Sequence, residues 1–216
     1  MKRFVLAAAL STLTLPVFAD TTVDGKISTL GLGLEAAFPV MESVDARIGF
    51  NTFNYNFNKT SASATASTNY SGKLNLQSLQ ALADWHPMGG SFRVSGGLMY
   101  NNNSFTMTAL PGAGSTFSVG GVATPIAAGQ SVNANVNFNK IAPYLGIGWG
   151  RTPKNTGLSF TSDFGILFQG SPKGNVSGNV TGATAADYAK ATADLNSSLN
   201  SFKMYPVASI GIGYTF

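Results

Sequence analysis

The chain has 216 residues, no cysteine, one histidine and only 10% charged residues, against 25 glycines and 15 phenylalanines. That inventory excludes a disulfide scaffold and thiolate metal centres, leaves carboxylates alone for any zinc site, and implies no cofactor. A net charge of +4 without a Lys/Arg cluster gives no nucleic-acid surface.

Residues 1–19 read as a secretory signal peptide. Lys2 and Arg3 precede an apolar run over 4–15, and Pro16-Val-Phe-Ala19 is a small-residue cleavage site. The run is too short to span a bilayer as a helix. Cleavage near Ala19 lowers the basic count from 13 to 11 against 9 acidic residues, so the mature domain, 20–216, is almost neutral.

Short alternating segments follow. Over 27–38, Leu30, Leu32, Leu34, Ala36 and Phe38 share one face, and Gly31, Gly33 and Glu35 the other. After a turn at 39–43, Val44, Ala46, Ile48 and Phe50 alternate with Asp45, Arg47, Gly49 and Asn51. A hairpin register with Phe38 opposite Val44 sets Glu35 opposite Arg47, an ion pair on the inner face. Phe53, Tyr55 and Phe57 then change parity, which predicts a bulge near Asn51 and Thr52 or departure into an aromatic girdle. The polar stretch 58–69 reads as a water-exposed loop.

The next strand, about 70–85, points Leu79, Ala81, Ala83 and Trp85 outward and Gln80 and Asp84 inward. After the turn at 86–91 come Phe92, Val94, Gly96, Leu98 and Tyr100 outward, with Arg93, Ser95 and Gly97 inward; pairing Trp85 with Phe92 sets Asp84 against Arg93. A Gly/Ala/Pro-rich loop is expected over 101–130. The fifth strand starts near Ser131, shifts parity near Asn139 and Lys140, and continues with Ile141, Pro143, Leu145, Ile147 and Trp149 outward. Across the turn at 151–155, Leu158, Phe160, Ser162, Phe164, Ile166 and Phe168 face outward and Thr161, Asp163 and Gln169 inward; matching Trp149 with Leu158 brings Tyr144 near Asp163. The last long connection, 170–201, contains a short amphipathic helix over 183–199, with Lys190 and Asp194 at i, i+4. The closing strand, 203–216, points Ala208, Ile210, Ile212, Tyr214 and Phe216 outward and Ser209, Gly211, Gly213 and Thr215 inward.

Apolar outside, small and polar inside, with short turns alternating with long loops, is the pattern of a transmembrane β-barrel. The expected fold is all-β: a closed antiparallel barrel of eight strands with a short helix in the last long loop. Seven strands are legible; because such barrels have even counts, an eighth is expected from residues 20–26, the alternative being a strand hidden in the last long connection, 170–201.

In these features the mature chain resembles the small outer-membrane β-barrel proteins of Gram-negative bacteria, the group of the OmpA transmembrane domain, OmpX and OmpW. The likeness rests on the signal peptide, the strand dyads, the loop asymmetry and the terminal Tyr214-Thr-Phe216. It implies the cell outer membrane as location, with outer-membrane lipids and lipopolysaccharide as surroundings. It also implies a monomer, and Tyr214 and Phe216 as the signal read by the barrel-assembly machinery. Trp85, Phe92 and Trp149 would form the aromatic girdle, and Glu35, Arg47, Asp84, Arg93 and Asp163 a polar network inside a lumen that side chains fill.

Catalysis is not expected. His86 is the sole histidine, and His86-Pro-Met88 lacks the serine of the His-x-Ser pair used by lipid A deacylases of the PagL type, so His86 reads as a turn residue. The expected function is structural or surface-interacting, carried by the long loops. The alternative is a narrow OmpW-like channel for small or apolar solutes.

Overall fold

The computed structural model describes residues 20–62, 67–114, 116–150 and 156–216. The signal peptide expected over 1–19 and the turn expected over 151–155 lie outside them. The strands are β1 (Thr22–Ser28), β2 (Gly31–Met41), β3 (Val44–Ala62), β4 (Ser67–Trp85), β5 (Arg93–Asn101), β6 (Ser104–Pro111), β7 (Thr116–Val119), β8 (Val122–Pro125), β9 (Val132–Asn137), β10 (Ile141–Trp149), β11 (Gly157–Phe168), β12 (Lys173–Gly178) and β13 (Met204–Thr215). The helix α1 (Ala185–Leu199) lies between β12 and β13.

Eight strands pair into an antiparallel ring, β1-β2-β3-β4-β5-β10-β11-β13, and β13 returns to β1. β1 is the strand expected at the N-terminal end. It pairs Thr22 through Ser28 with β13 on one edge and β2 on the other. The run 27–38 is therefore two strands. They are joined at Thr29 and Leu30 at what we call the upper end of the ring. Gly31 has φ 105°, and a Cβ there would stand 2.5 Å from the Thr52 carbonyl oxygen, so glycine is required. Leu30, expected on the outer face, is 2% exposed and turned into the mouth of the ring.

The inside–outside assignment of the ring strands holds, but the hairpin registers differ. β2 pairs Phe38 with Ala46 and Glu35 with Gly49, because a bulge between Pro39 and Met41 lengthens the turn. β4 pairs Trp85 with Val94 and Asp84 with Ser95, since the His86 turn is wider than a tight hairpin. β10 pairs Trp149 with Ser162 and Tyr144 with Leu167 rather than bringing Tyr144 opposite Asp163. Each displacement is by an even number of residues, and only an odd slip moves side chains to the other face.

Above the ring the chain does not dissolve into loops. β3 and β4 continue together to Ala62 and from Ser67, and β6, β9 and β12 add beyond β4, giving an upper wall β3-β4-β6-β9-β12. β6 keeps the register of β5 against β4, and β9 against β6 keeps that of β10 against β5. Most of the residues expected as loops at 58–69 and 101–130 are thus strand; the latter also hold the β7–β8 hairpin.

The bulge expected near Asn51 and Thr52 is absent: β3 and β4 pair without interruption from Val44 with Trp85 to Ala62 with Ser67. What changes is the face that carries the apolar residues, not the backbone pairing. In the ring, most of the large apolar residues point outward, the inward ones being gathered in one cluster with Leu30. In the wall, Phe53, Tyr55 and Phe57 share the inner face with Arg47 and Asn51, and Leu74, Phe105, Met107 and Val136 continue that face across β4, β6 and β9. The parity shift expected near Asn139 and Lys140 has the same origin: β9 stays in register and its Val132 and Val136 face inward.

α1 lies on this inner face at the far end of the wall. Its Leu195 and Leu199 occupy the space over Gly174, and Tyr188 that over Gly178. Asn196 clamps β12 by accepting from the Gly174 amide at 2.8 Å and donating to the Gly174 carbonyl at 3.0 Å. Its N-terminus carries a capping box: Thr184 Oγ1 accepts from the Asp187 amide, and the Asp187 carboxylate accepts from the Thr184 amide at 2.7 Å. Val119, Ile126 and Val180 form a small core beside it, with Phe117, Val132 and Tyr188 packed around them.

Candidate functional site: the filled interior

The inward residues of the ring form three layers. The middle layer is centred on Arg47, whose guanidinium meets three carboxylates supplied by β2, β4 and β11. Nη1 lies 3.2 Å from Glu35 Oε1 and 3.2 Å from both Asp163 oxygens. Nη2 lies 2.9 Å from Asp84 Oδ1, and Nε 2.9 Å from Asp84 Oδ2. Arg93 donates to Asp163 Oδ1 at 2.8 Å, while its contact with Asp84, the partner expected from the hairpin, is 3.8 Å. Ser95 and Ser209 hydroxyls complete the carboxylates, at 2.6 Å from Asp84 and 3.3 Å from Asp163.

The five charged residues picked out from the sequence are thus brought together, and the structure adds a sixth. Lys26 donates to Glu35 Oε2 at 2.6 Å, beside Gln80 Nε2 on the same oxygen at 2.8 Å. Its stem runs across Gly33 and Gly211, where side chains would collide with it. With Lys26, three cations face these three carboxylates, and a fourth buried carboxylate, Asp24, stands opposite Glu35 in the β1–β2 register. Buried charges persist only when compensated.

The lower layer is built of short polar contacts. Thr22 and Thr215 hydroxyls lie 2.7 Å apart. His86, expected in an interfacial turn, is fully enclosed. Its Nδ1 is 3.0 Å from the Gly90 carbonyl and its Nε2 2.9 Å from Asp45 Oδ2. A carbonyl oxygen only accepts, so Nδ1 carries a hydrogen and Nε2 is the nitrogen that faces the Asp45 carboxyl group. These contacts fasten the β4–β5 turn to the start of β3.

The upper layer is apolar. Leu30, Leu82, Met99, Ala142, Tyr144, Leu167 and Val207 pack together across the mouth. The Thr29–Leu30 turn is latched to β13. Tyr205 Oη donates to the Thr29 carbonyl at 2.7 Å, Thr29 Oγ1 donates to the Pro206 carbonyl at 3.0 Å, and the Thr29 amide donates to the Ala208 carbonyl at 3.0 Å. Tyr144 Oη sits where a Cβ on Gly146 or Gly165 would stand, so those glycines admit the ring.

Among the outward residues, Trp85 and Trp149 are exposed at the lower end, and the Phe92 and Trp149 rings lie 5.1 Å apart. Tyr214 and Phe216 meet edge to face at 5.0 Å. The Phe216 amide donates to the Thr21 carbonyl at 3.0 Å, and its carbonyl accepts from the Asp20 amide at 3.2 Å, so Phe216 is fastened to Asp20 and Thr21 where β13 joins β1. The described residues hold no group of three or more His, Cys, Asp or Glu side chains placed to hold a metal ion.

No protein-family model matches this chain, and no curated protein matches it in sequence. Among solved structures it is similar to Acinetobacter baumannii CarO2, at 20% identity and a TM-score of 0.61 over 91% of this chain and 98% of that one. It is also similar to Acinetobacter baumannii CarO, at 20% identity and a TM-score of 0.57 over 92% and 98%. At this identity the likeness shows the fold. A looser likeness to a major outer membrane protein from Thermus thermophilus has a TM-score of 0.38 and carries no argument.

Proposed function

We propose that the ring is a closed eight-stranded β-barrel in the outer membrane, that its lumen does not conduct, and that its work is done by the upper wall, held outside the cell as a folded interaction platform. The observation that carries this reading is the inversion of faces between ring and wall. In the ring, Leu34, Phe50, Leu79, Phe164 and Ile212 stand exposed on the outer face while ions are buried inside. That arrangement suits hydrocarbon around the ring. In the wall the apolar face turns inward, which suits water.

Filling of the lumen supports a structural over a conducting role. An apolar layer covers an ion-paired layer, and an eight-stranded barrel has an interior just wide enough for side chains to fill. Short turns belong at the periplasmic end and long connections outside, which orients the wall outward. Residues 1–19 would direct export, Tyr214 and Phe216 would be read by the assembly machinery, Trp85, Phe92 and Trp149 would sit at the periplasmic interface, and lipopolysaccharide would surround the upper ring. No enzymatic role is proposed, since neither side chain of the His86–Asp45 contact is an activated nucleophile.

Planar-bilayer recording of refolded protein tests this. We expect a flat baseline; reproducible single-channel steps would replace the structural reading with that of a narrow channel.

A further inference from the structure

The outer face of the wall is tiled with one kind of chemistry. The pairing of β3, β4, β6, β9 and β12 sets its outward residues in transverse rows. One row runs Asn56, Lys73, Thr106, Asn135, Asn175; the row below it runs from Asn54 to Lys173, and the row above it from Asn58 to Ser177. Every side chain in these three rows is Asn, Ser, Thr or Lys. Asparagine is a poor strand residue, so its concentration on one face of five paired strands points to a role other than holding the sheet. The face also has a sign. Lys73 and Lys173 stand exposed on it, and Lys140, exposed at its lower border, donates to Asn102 and lies 5.9 Å from the centroid of the outward Tyr100 ring. None of the nine acidic residues is there: they point into the ring, lie at its lower end or belong to α1 on the inner face.

We infer that this face binds the phosphorylated oligosaccharide headgroup of glycolipids in its own membrane. The inference rests on the ring lying in the membrane with the wall outside the cell, as proposed above. On β3 and β4 the face continues the ring exterior without a break: Phe50 with Leu79, then Thr52 with Gln77, then Asn54 with Asn75. A lipid whose chains lie against Phe50 and Leu79 therefore carries its headgroup along these rows. The depth of the rows selects the headgroup. At about 3.3 Å per residue and a tilt of about 40°, the rows stand roughly 10–20 Å above Phe50. A phospholipid headgroup layer is only roughly 5–8 Å deep, whereas a chain of several sugars spans all three rows. The side chains select it too. Amides and hydroxyls both donate and accept, which matches the hydroxyls of sugars, and lysines without neighbouring carboxylates attract phosphate. A carboxylate on this face would repel it.

The full chain refolded in a non-ionic detergent tests this by calorimetric titration with rough lipopolysaccharide stripped of its acyl chains, a soluble phosphorylated oligosaccharide. Saturable binding is expected. Lys73→Gln, Lys140→Gln and Lys173→Gln together should weaken it at least tenfold, since a lysine beside an anionic surface is worth about fivefold. Asn56→Asp, which adds a carboxylate to the middle row, should weaken it severalfold. Lys59→Gln, on the inner face of β3, should leave it unchanged. All of these side chains are exposed, and heat-modifiable mobility on a gel verifies that each variant is folded. No binding by the wild type, undiminished binding by the triple variant or by Asn56→Asp, equal loss with Lys59→Gln, or equal affinity for the saccharide after removal of its phosphates would overturn the inference. The titration needs no bilayer, so it is read separately from membrane placement. Protein released from vesicles by carbonate contradicts insertion, whereas inserted protein that ignores the saccharide overturns only the headgroup contact.

Discussion

Arg47 and Asp163, 116 residues apart in the chain, meet at the centre of the ring with Nη1 3.2 Å from both carboxylate oxygens. The same guanidinium holds Glu35 and Asp84, so one side chain ties β3 to β2, β4 and β11. Removing it leaves three carboxylates sharing two cations in a space closed to water. Arg47→Met should therefore cost about 3–5 kcal/mol, the range for breaking a buried pair from one side. Urea unfolding from vesicles measures it, and Glu35→Gln added to Arg47→Met should recover part of the loss. A change within experimental error would mean that the charges are solvated and the interior is wet.

The mouth depends on one turn. Leu30→Ala removes the side chain that fills the apolar layer and should cost about 2–5 kcal/mol, as other large-to-small core changes do. Gly31→Ala forces a Cβ toward the Thr52 carbonyl at a φ of 105° and should destabilise the protein although it adds only a methyl group. Neither should open a conductance, because the charged layer beneath stays filled. Urea midpoints and bilayer recording of the two variants check both statements.

The helix should respond to its cap alone. Thr184→Ala removes the side-chain arm of the capping box and should weaken α1 by about 1 kcal/mol, seen as faster amide exchange at the start of α1 with exchange in the ring unchanged. The Thr184 amide, and then its hydroxyl, hold the Asp187 carboxyl below its usual range. A depressed folded-state value means that this contribution is complete above the ordinary carboxylate range, about 4, and is lost as pH falls through the folded value. Acidification should thus fray α1, and Asp187→Asn should remove that dependence.

The two roles of the last residue can be separated. Phe216 bonds to Thr21 and Asp20 through its backbone only, and its ring touches Tyr214 on the outside. Phe216→Ala keeps the backbone bonds. It should reduce the amount of heat-modifiable protein in cells several-fold while refolding in detergent stays close to wild type. Equal loss in both would assign the ring to packing rather than to recognition.

How much of this is legible in the chain follows from what each layer touches. The ring strands read correctly because outward-facing apolar and interior residues alternate with period two, and that alternation survives even-numbered errors of register. The registers themselves are not legible: the bulge between Pro39 and Met41 and the width of the His86 turn leave no local signature. Lys26 escapes notice because only the need for an even strand count places the seven-residue β1. The wall escapes it for a physical reason. Its strands alternate as strictly as those of the ring, as Val132-Asn-Ala-Asn-Val-Asn137 shows, but with the apolar face turned inward and asparagine and threonine outside. Read with the rule for the ring, such a strand looks like a parity shift or a polar loop. A rule that inverts past Thr52 finds β6 and β9.

The central claim is that a membrane surrounds the ring and leaves the wall outside the cell. The chain has no cysteine, so single cysteines report position without background. Ser61→Cys at the top of the wall should react with a membrane-impermeant maleimide on intact cells. Glu42→Cys in the lower turn should react only after the outer membrane is permeabilised, and Leu34→Cys on the ring exterior only after the lipid is dissolved. Equal labelling of all three on intact cells, or labelling of Glu42→Cys before Ser61→Cys, would contradict the account.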